Sequence, residues 1–324
     1  MSKKLIQKIS MIFIPSLVFL LFSCNKKLFC METDENIERP IVVLRAFPVL
    51  PDDIEMCIFS FLDQWDLLKR TVFVSKSWSN ATNGVWKVVS LSLSGKKIEN
   101  SKAKALSNGN FSNLTKLNLM YNRIGDEGVK YLSNGRLVNL KTLYLWRNYI
   151  GNKGAKALSN GNFTNLAELD LMYNIIGDEG VKYLSNGRLT NLTKLYLGRN
   201  DIGNKGVKYL SNGNFTNLTK LNLGRNYIED EGVQYLSNGR IINLTELYLE
   251  RNYIEDEGVK SLSNGRLINL TKLYLRGNSI GDEGVKALSN GRLTNLTKLY
   301  LGGNNFGVEG KAVLKEKFGE RVYF

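Results

Sequence analysis

The chain has 324 residues, 44 Lys and Arg against 30 Asp and Glu, a formal net charge of +14, three cysteines and no histidine. Without imidazole there is no Ser-His-Asp or Cys-His nucleophile, no histidine-built zinc site and no histidine general base, so an enzyme would have to work through carboxylates, lysine, tyrosine or cysteine. A content of 43% apolar and 23% charged residues suits one large globular domain or two, and the positive balance points to acidic partners.

The first eight residues carry Lys3, Lys4 and Lys8, and residues 9–23 form an apolar or small run interrupted by Pro15. Fifteen residues at about 1.5 Å each fall short of a hydrocarbon core of about 30 Å, so residues 1–23 read as an export signal and not as a span. The run ends Leu21-Phe22-Ser23-Cys24 and turns polar at Asn25-Lys26-Lys27. That box resembles a bacterial lipoprotein signal, which implies cleavage before Cys24 and lipidation of its thiol; Phe22 is bulkier than the usual residue there. An ordinary signal peptide or a short anchor with Cys24 inert is the other reading. Cys24, Cys30 and Cys57 are too few for a disulfide framework, and no Cys-x-x-Cys pair is present. Residues 24–46, with Glu32, Asp34, Glu35 and Glu38 around Pro40, read as a linker.

Residues 47–87 predict three short helices. Pro51 suits a helix start, Asp52 and Asp53 favour its positive end, and Ile54, Ile58, Phe61 and Leu62 follow at helical spacing. Asp66 can cap a second helix with Leu67 and Leu68, and Val74, Trp78 and Trp86 mark a third. The order Leu50-Pro51, Ile54 and Ile58 with Leu62, Asp66-Leu67, Val74-Ser75-Lys76-x-Trp78 and a late Trp86 resembles an F-box. The resemblance implies that Leu50, Pro51, Ile54, Ile58, Leu62 and Leu67 dock onto the adaptor subunit of a cullin-RING ubiquitin ligase. The plainer alternative is a helical cap that shields the first repeat. Cys57, between apolar residues, reads as a core thiol.

From residue 88 to the C-terminus a period of 26 residues dominates. Leucines recur at Leu114, Leu140, Leu166, Leu192, Leu218, Leu244, Leu270 and Leu296, and asparagines at Asn122, Asn148, Asn174, Asn200, Asn226, Asn252, Asn278 and Asn304, giving eight full units. A degenerate unit with Leu91, Leu93, Ile98 and Leu106 precedes them. In each unit Leu-x-Leu predicts a short strand with both leucines on one face, and the asparagine serves the backbone of the following turn. The stretch after it predicts a helix of about two turns, with an Asp N-cap such as Asp126, apolar residues such as Val129 and Leu132, and a C-terminal Gly135. No unit can bury its leucines alone, so the array is a solenoid. Phe306, Val313, Leu314 and Phe318 predict a closing helix.

The pattern Leu-x-x-Leu-x-Leu-x-x-Asn-x-Ile/Phe with a Gly-Asp-Glu-Gly helix resembles leucine-rich repeats of the ribonuclease-inhibitor-like kind. This implies an α/β horseshoe, with parallel strands on the concave side and helices outside, preceded by the small three-helix unit. Strand alternation directs the third, fifth, seventh and eighth places of each unit towards the concave side. A target-binding face is therefore expected from Tyr144, Trp146, Arg147, Tyr196, Arg199, Arg225, Tyr248, Arg251, Tyr274, Arg276 and Tyr300, with Tyr121, Tyr173 and five lysines in the same rows. Glu168, Asp170, Glu246 and Glu250 leave that face a net +6. Tyr, Trp and Arg dominate hot spots of protein interfaces, although recent duplication would also copy them.

Together the resemblances imply a non-enzymatic substrate receptor that holds target lysines near a conjugating enzyme, which needs no cofactor or metal. An export signal on such a receptor fits an effector that an intracellular bacterium delivers into its host. The alternative is a surface-tethered lipoprotein whose repeats bind a host or extracellular ligand. An enzyme regulator has no specific support, and interspersed carboxylates make the face less suited to nucleic acid than to an acidic protein or peptide.

Overall fold

The computed structural model describes residues 41–44, 87–109, 111 and 114–324. Cys24 and the expected three-helix segment with Leu50, Pro51, Ile54, Ile58, Leu62 and Leu67 lie outside these residues. The described residues fall into two units divided between Ser92 and Leu93. In the first, strand β1 (Ile41–Leu44), inside the segment read as a linker, pairs in parallel with β2 (Lys87–Ser92).

The second unit, Leu93–Phe324, is the repeat solenoid. It opens with helix α1 (Asn100–Asn108) and then alternates three-residue strands with helices. Strands β3 (Lys116–Asn118), β4 (Thr142–Tyr144), β5 (Glu168–Asp170), β6 (Lys194–Tyr196), β7 (Lys220–Asn222), β8 (Glu246–Tyr248), β9 (Lys272–Tyr274) and β10 (Lys298–Tyr300) pair in order. All these pairings are parallel and in register, so Leu117, Leu143, Leu169, Leu195, Leu221, Leu247, Leu273 and Leu299 stand in one row. Each of them is at most 1% exposed, as are the isoleucine after the asparagine and the helix valine or alanine opposite. Burying one such side chain stabilises by about 2 kcal/mol, but only when a neighbouring unit covers it. Strands repeat at about 4.8 Å while packed helices need about 8–10 Å, so the stack curves with the strands inside.

The asparagines tie each repeat to the one before it. Asn174 Nδ2 donates to the carbonyls of Leu145 (3.0 Å) and Leu171 (2.9 Å), and its Oδ1 accepts from the amides of Asn148 and Ile150 (both 3.0 Å). The turn-satisfying role expected from sequence is therefore shared across the repeat boundary. A second row, Asn165, Asn191 and Asn217, donates to Val138 O, Thr164 O and Thr190 O of the preceding repeat at 2.7–3.0 Å.

One expectation about the helices needs correction. Asp126 does not cap its own helix, α2 (Gly125–Asn134), which has no side-chain cap. Its Oδ1 accepts from the amides of Gly151 (2.6 Å) and Gly154 (2.9 Å), at the start of the next helix, α3 (Asn152–Asn160). Asn204 serves the next repeat in the same way through Glu229 N (2.9 Å) and Gly232 N (3.1 Å). The stacking brings each acceptor above the following helix's unpaired amides, where it meets orphan donors and a positive dipole end. Gly135 ends α2 as expected, with φ −78°. A Cβ there would sit 2.8 Å from Ser107 Cβ, and glycine is required for close approach of successive repeats.

Five further helices follow the same plan: α4 (Gly177–Asn186), α5 (Asn204–Asn212), α6 (Asp230–Asn238), α7 (Asp256–Asn264) and α8 (Asp282–Asn290). Helix α9 (Val308–Phe318) closes the array, with Leu314 fully buried and Phe318 4% exposed. A strand that the repeat pattern does not announce, β11 (Val322–Tyr323), then adds to β10.

Candidate protein-binding face

The strand leucines point into the core, which leaves the third, fifth, seventh and eighth places of each unit outside. Tyr144, Trp146, Tyr196, Tyr248, Tyr274 and Tyr300 are half-buried there, and Arg147, Arg199, Arg225, Arg251 and Arg276 are exposed. The rows differ in what they offer a partner.

The third-place row neutralises itself in its middle. Lys194 lies 3.4 Å from Glu168, and Glu246 bridges Lys220 (2.9 Å) and Lys272 (2.7 Å). Partial burial pushes the Glu246 carboxyl up, but hydrogen bonds from Lys272, Lys220 and Tyr248 outweigh it and hold the group at about 2. Three of the lysines in the net +6 are thus already engaged.

The fifth-place row is aromatic towards the C-terminus. Tyr248, Tyr274, Tyr300 and Tyr323 stack with centroids 4.1, 4.4 and 4.5 Å apart and planes within 15° of parallel. In the same row, Asp170 is pushed up to about 6 by burial, with Glu168 adding to the effect and a hydrogen bond from Met172 N opposing it. Asn118 and Asn222 hold the equivalent place and accept the equivalent bond, from Met120 N (3.0 Å) and Gly224 N (2.9 Å).

The eighth-place row carries the unneutralised charge. Arg147, Arg199, Arg225 and Arg251 take part in no ion pair among the described residues. Instead, Arg147 lies over the rings of Tyr121 (5.5 Å) and Tyr173 (5.8 Å), and Arg199 over Tyr173 (4.5 Å). Burial, and then repulsion from Arg199 and Arg251, lowers the Arg225 guanidinium below its ordinary value. Backbone φ is between 53° and 57° at Tyr121, Arg147, Tyr173, Arg199, Arg225 and Arg251, while the last two repeats place Gly277 and Gly303 there. Trp146 packs between Tyr121 (4.9 Å) and Tyr173 (5.4 Å).

Sequence alternation missed one row. The tenth place, just after the asparagine, presents Tyr149 (69% exposed), Ile175 (59%), Tyr227 (54%) and Tyr253 (56%) at the rim of the face. These residues follow the strand, so a period-two rule does not reach them. The available signal was an aromatic or aliphatic residue directly before the core isoleucine, which cannot share its burial.

A leucine-rich repeat family model matches residues 112–133, 137–159, 164–185, 188–211, 216–237, 241–263, 266–289 and 292–311, more than half of the chain. An F-box domain model matches residues 47–88. No curated protein matches the chain. Among solved structures, internalin C2 from Listeria monocytogenes is 27% identical, with 68% of this chain and 81% of that one covered and a TM-score of 0.48. An internalin (inlF) from the same organism is 23% identical, with 73% and 86% covered and a TM-score of 0.38. F-box domains and leucine-rich repeats are protein-interaction modules, typically without enzymatic activity, which suggests an interaction adaptor. The chain belongs to the leucine-rich repeat family and carries an F-box domain ahead of its repeats.

Proposed function

We propose that this protein is a substrate receptor of a cullin-RING ubiquitin ligase. Residues 47–87 form the domain that grips a Skp1-type adaptor, and residues 88–324 the domain that holds a target on the strand face. The observation that carries the reading is the pairing of an F-box match at residues 47–88 with a repeat face rich in Tyr and unpaired Arg. Such a face suits an acidic protein or peptide, whose approach it would steer by charge. The receptor does no chemistry; it raises the local concentration of target lysines near a charged conjugating enzyme.

The N-terminal segment extends the proposal to location. Residues 1–23 and Cys24 fit an exported lipoprotein, which makes the protein an effector placed by a bacterium where a host ligase is available. The same box favours a second reading, in which Cys24 tethers the protein to the bacterial surface and the repeats bind a host or extracellular ligand. Labelling Cys24 with a fatty-acid analogue, together with protection from external protease, separates the two.

The adaptor contact is tested by titrating the purified chain with a Skp1-type subunit and comparing Leu50→Ala and Pro51→Ala. The proposal expects a complex with the parent and loss of at least tenfold in affinity in each variant. Identical behaviour of parent and variants would remove it.

A further inference from the structure

Near the N-terminal end of the described repeats, the eighth- and tenth-place rows enclose a rim concavity of about 510 Å³. Four cations line it, Lys97, Arg123, Arg147 and Arg199, together with Tyr121, Tyr149, Tyr173 and Ile175, and no carboxylate does. The absence of an acidic lining residue sets it apart from the third-place row, where Glu168 and Glu246 already hold lysines.

The backbone supplies a second, independent observation. Lys97, Tyr121, Arg147, Tyr149, Tyr173 and Arg199 all line this concavity with φ between 51° and 59°. They are six of the nine non-glycine residues with left-handed φ among the described residues. Tyr121, Arg147, Tyr173 and Arg199 adopt it at the eighth place, where the fold requires it and Gly277 and Gly303 meet it without strain, and Lys97 and Tyr149 adopt it at the tenth. Where Tyr and Arg stand instead, the side chain is kept in spite of its backbone, and strain of this kind gathers at binding sites.

Resting on the receptor reading above, we propose that this rim pocket is the specificity site for an acidic peptide segment of the target. Its two carboxylates, three residues apart, sit on Arg147 and Arg199, with an apolar residue between them against Tyr173 and Ile175. The spacing follows from the stack. Arg147 and Arg199 are two repeats apart, which at about 4.8 Å per strand is roughly 10 Å. A peptide in the polyproline II conformation rises about 3.1 Å per residue and returns to the same face every three residues, so two side chains three apart reach roughly 9 Å along one side. Tyr173 lies between the two guanidinium groups, 5.8 and 4.5 Å from them, and presents a ring to whatever joins the carboxylates. Tyr149 and Ile175, more than half exposed, extend that apolar floor outward.

The test is fluorescence anisotropy of a labelled eight-residue probe with the core Glu-Leu-Leu-Glu against the full chain, beside an isomeric probe with the core Glu-Glu-Leu-Leu. The pocket predicts at least tenfold tighter binding of the spaced probe. Arg147→Gly and Arg199→Gly place at each site the residue that later repeats already use, so both variants should fold and melt no lower than the parent. Each should weaken the spaced probe at least tenfold, whereas Lys260→Ala on a helix should leave it within twofold. Equal binding of the two probes, insensitivity to Arg147→Gly and Arg199→Gly, or tighter binding of a single-stranded oligonucleotide of equal charge would each overturn the assignment. Measuring adaptor binding on the same preparation keeps the two proposals apart. A chain that binds adaptor but ignores probe spacing loses the pocket alone, and one that reads the spacing but ignores the adaptor loses the ligase reading alone.

Discussion

The first and last repeats of the array share one scaffold and differ in what they display. From Tyr121 to Arg251 the eighth place keeps Tyr or Arg on a left-handed backbone, and cations lie over tyrosine rings. At Gly277 and Gly303 glycine takes that place, and the nearby fifth-place row is a continuous stack from Tyr248 to Tyr323. The leucine core and the asparagine ladder do not change between these regions. The comparison teaches that stability lies in the invariant rows, whereas recognition lies in rows that the scaffold leaves free or even disfavours.

The sharpest way to probe the shared scaffold is Asn226→Ala, near the middle of the array. Asn226 accepts from the amides of Asn200 (2.9 Å) and Ile202 (3.2 Å) and donates to the carbonyls of Leu197 (3.1 Å) and Leu223 (2.9 Å). Removing its amide strands these buried groups and should cost about 4 kcal/mol, read by urea denaturation. A loss below about 1 kcal/mol would mean that the ladder does not hold the stack.

Next in size is Asp170→Asn, which substitutes the residue that two sister repeats carry at the same place. The folded-state carboxyl of Asp170 is raised to about 6 from 3.8, so the folded chain binds that proton more tightly than the unfolded chain. The resulting stabilisation is complete below about pH 4 and is lost as pH rises through 6. Above pH 6 the variant should therefore be more stable than the parent by on the order of 2 kcal/mol, with the difference vanishing towards pH 4. Parallel pH profiles for the two chains would contradict the account of this site.

Smaller still is Tyr274→Ala in the stacked region, which removes ring contacts at 4.1 and 4.4 Å. It should cost about 1–2 kcal/mol and leave the rim pocket's affinity within twofold, and a larger loss there would join the two regions into one site. The smallest effect belongs to the reciprocal exchange at the eighth place. Arg199→Gly should leave stability unchanged or raised by up to about 1 kcal/mol, and Gly277→Arg should lower it by about 1 kcal/mol. Melting curves with the opposite signs would show that the side chains are kept for folding and not for binding.

Much of this was legible in the chain itself. A period of 26 is enough to place the leucines, asparagines and outward rows, because each depends on alternation within one unit. What was misread depends on the neighbour. Asp126 looked like a cap for the helix that contains it, but stacking sets it over the amides of residues 25 and 28 positions onward. Gly135 ends its helix as the pattern says, but the reason it must be glycine is Ser107 of the repeat before. The tenth-place row and β11 follow from where the chain leaves the strand and where the last sheet edge needs a partner, and neither is given by alternation along a strand.

The central claim is that one chain bridges a ligase adaptor and an acidic target at the same time. Light scattering after size exclusion, on the full chain mixed with a Skp1-type adaptor and the labelled Glu-Leu-Leu-Glu probe, tests it most directly. The account predicts a single species containing all three components in equal amounts, with the probe lost in Arg199→Gly and the adaptor lost in Pro51→Ala. Mutually exclusive binding, or a species that never contains the adaptor, would contradict it.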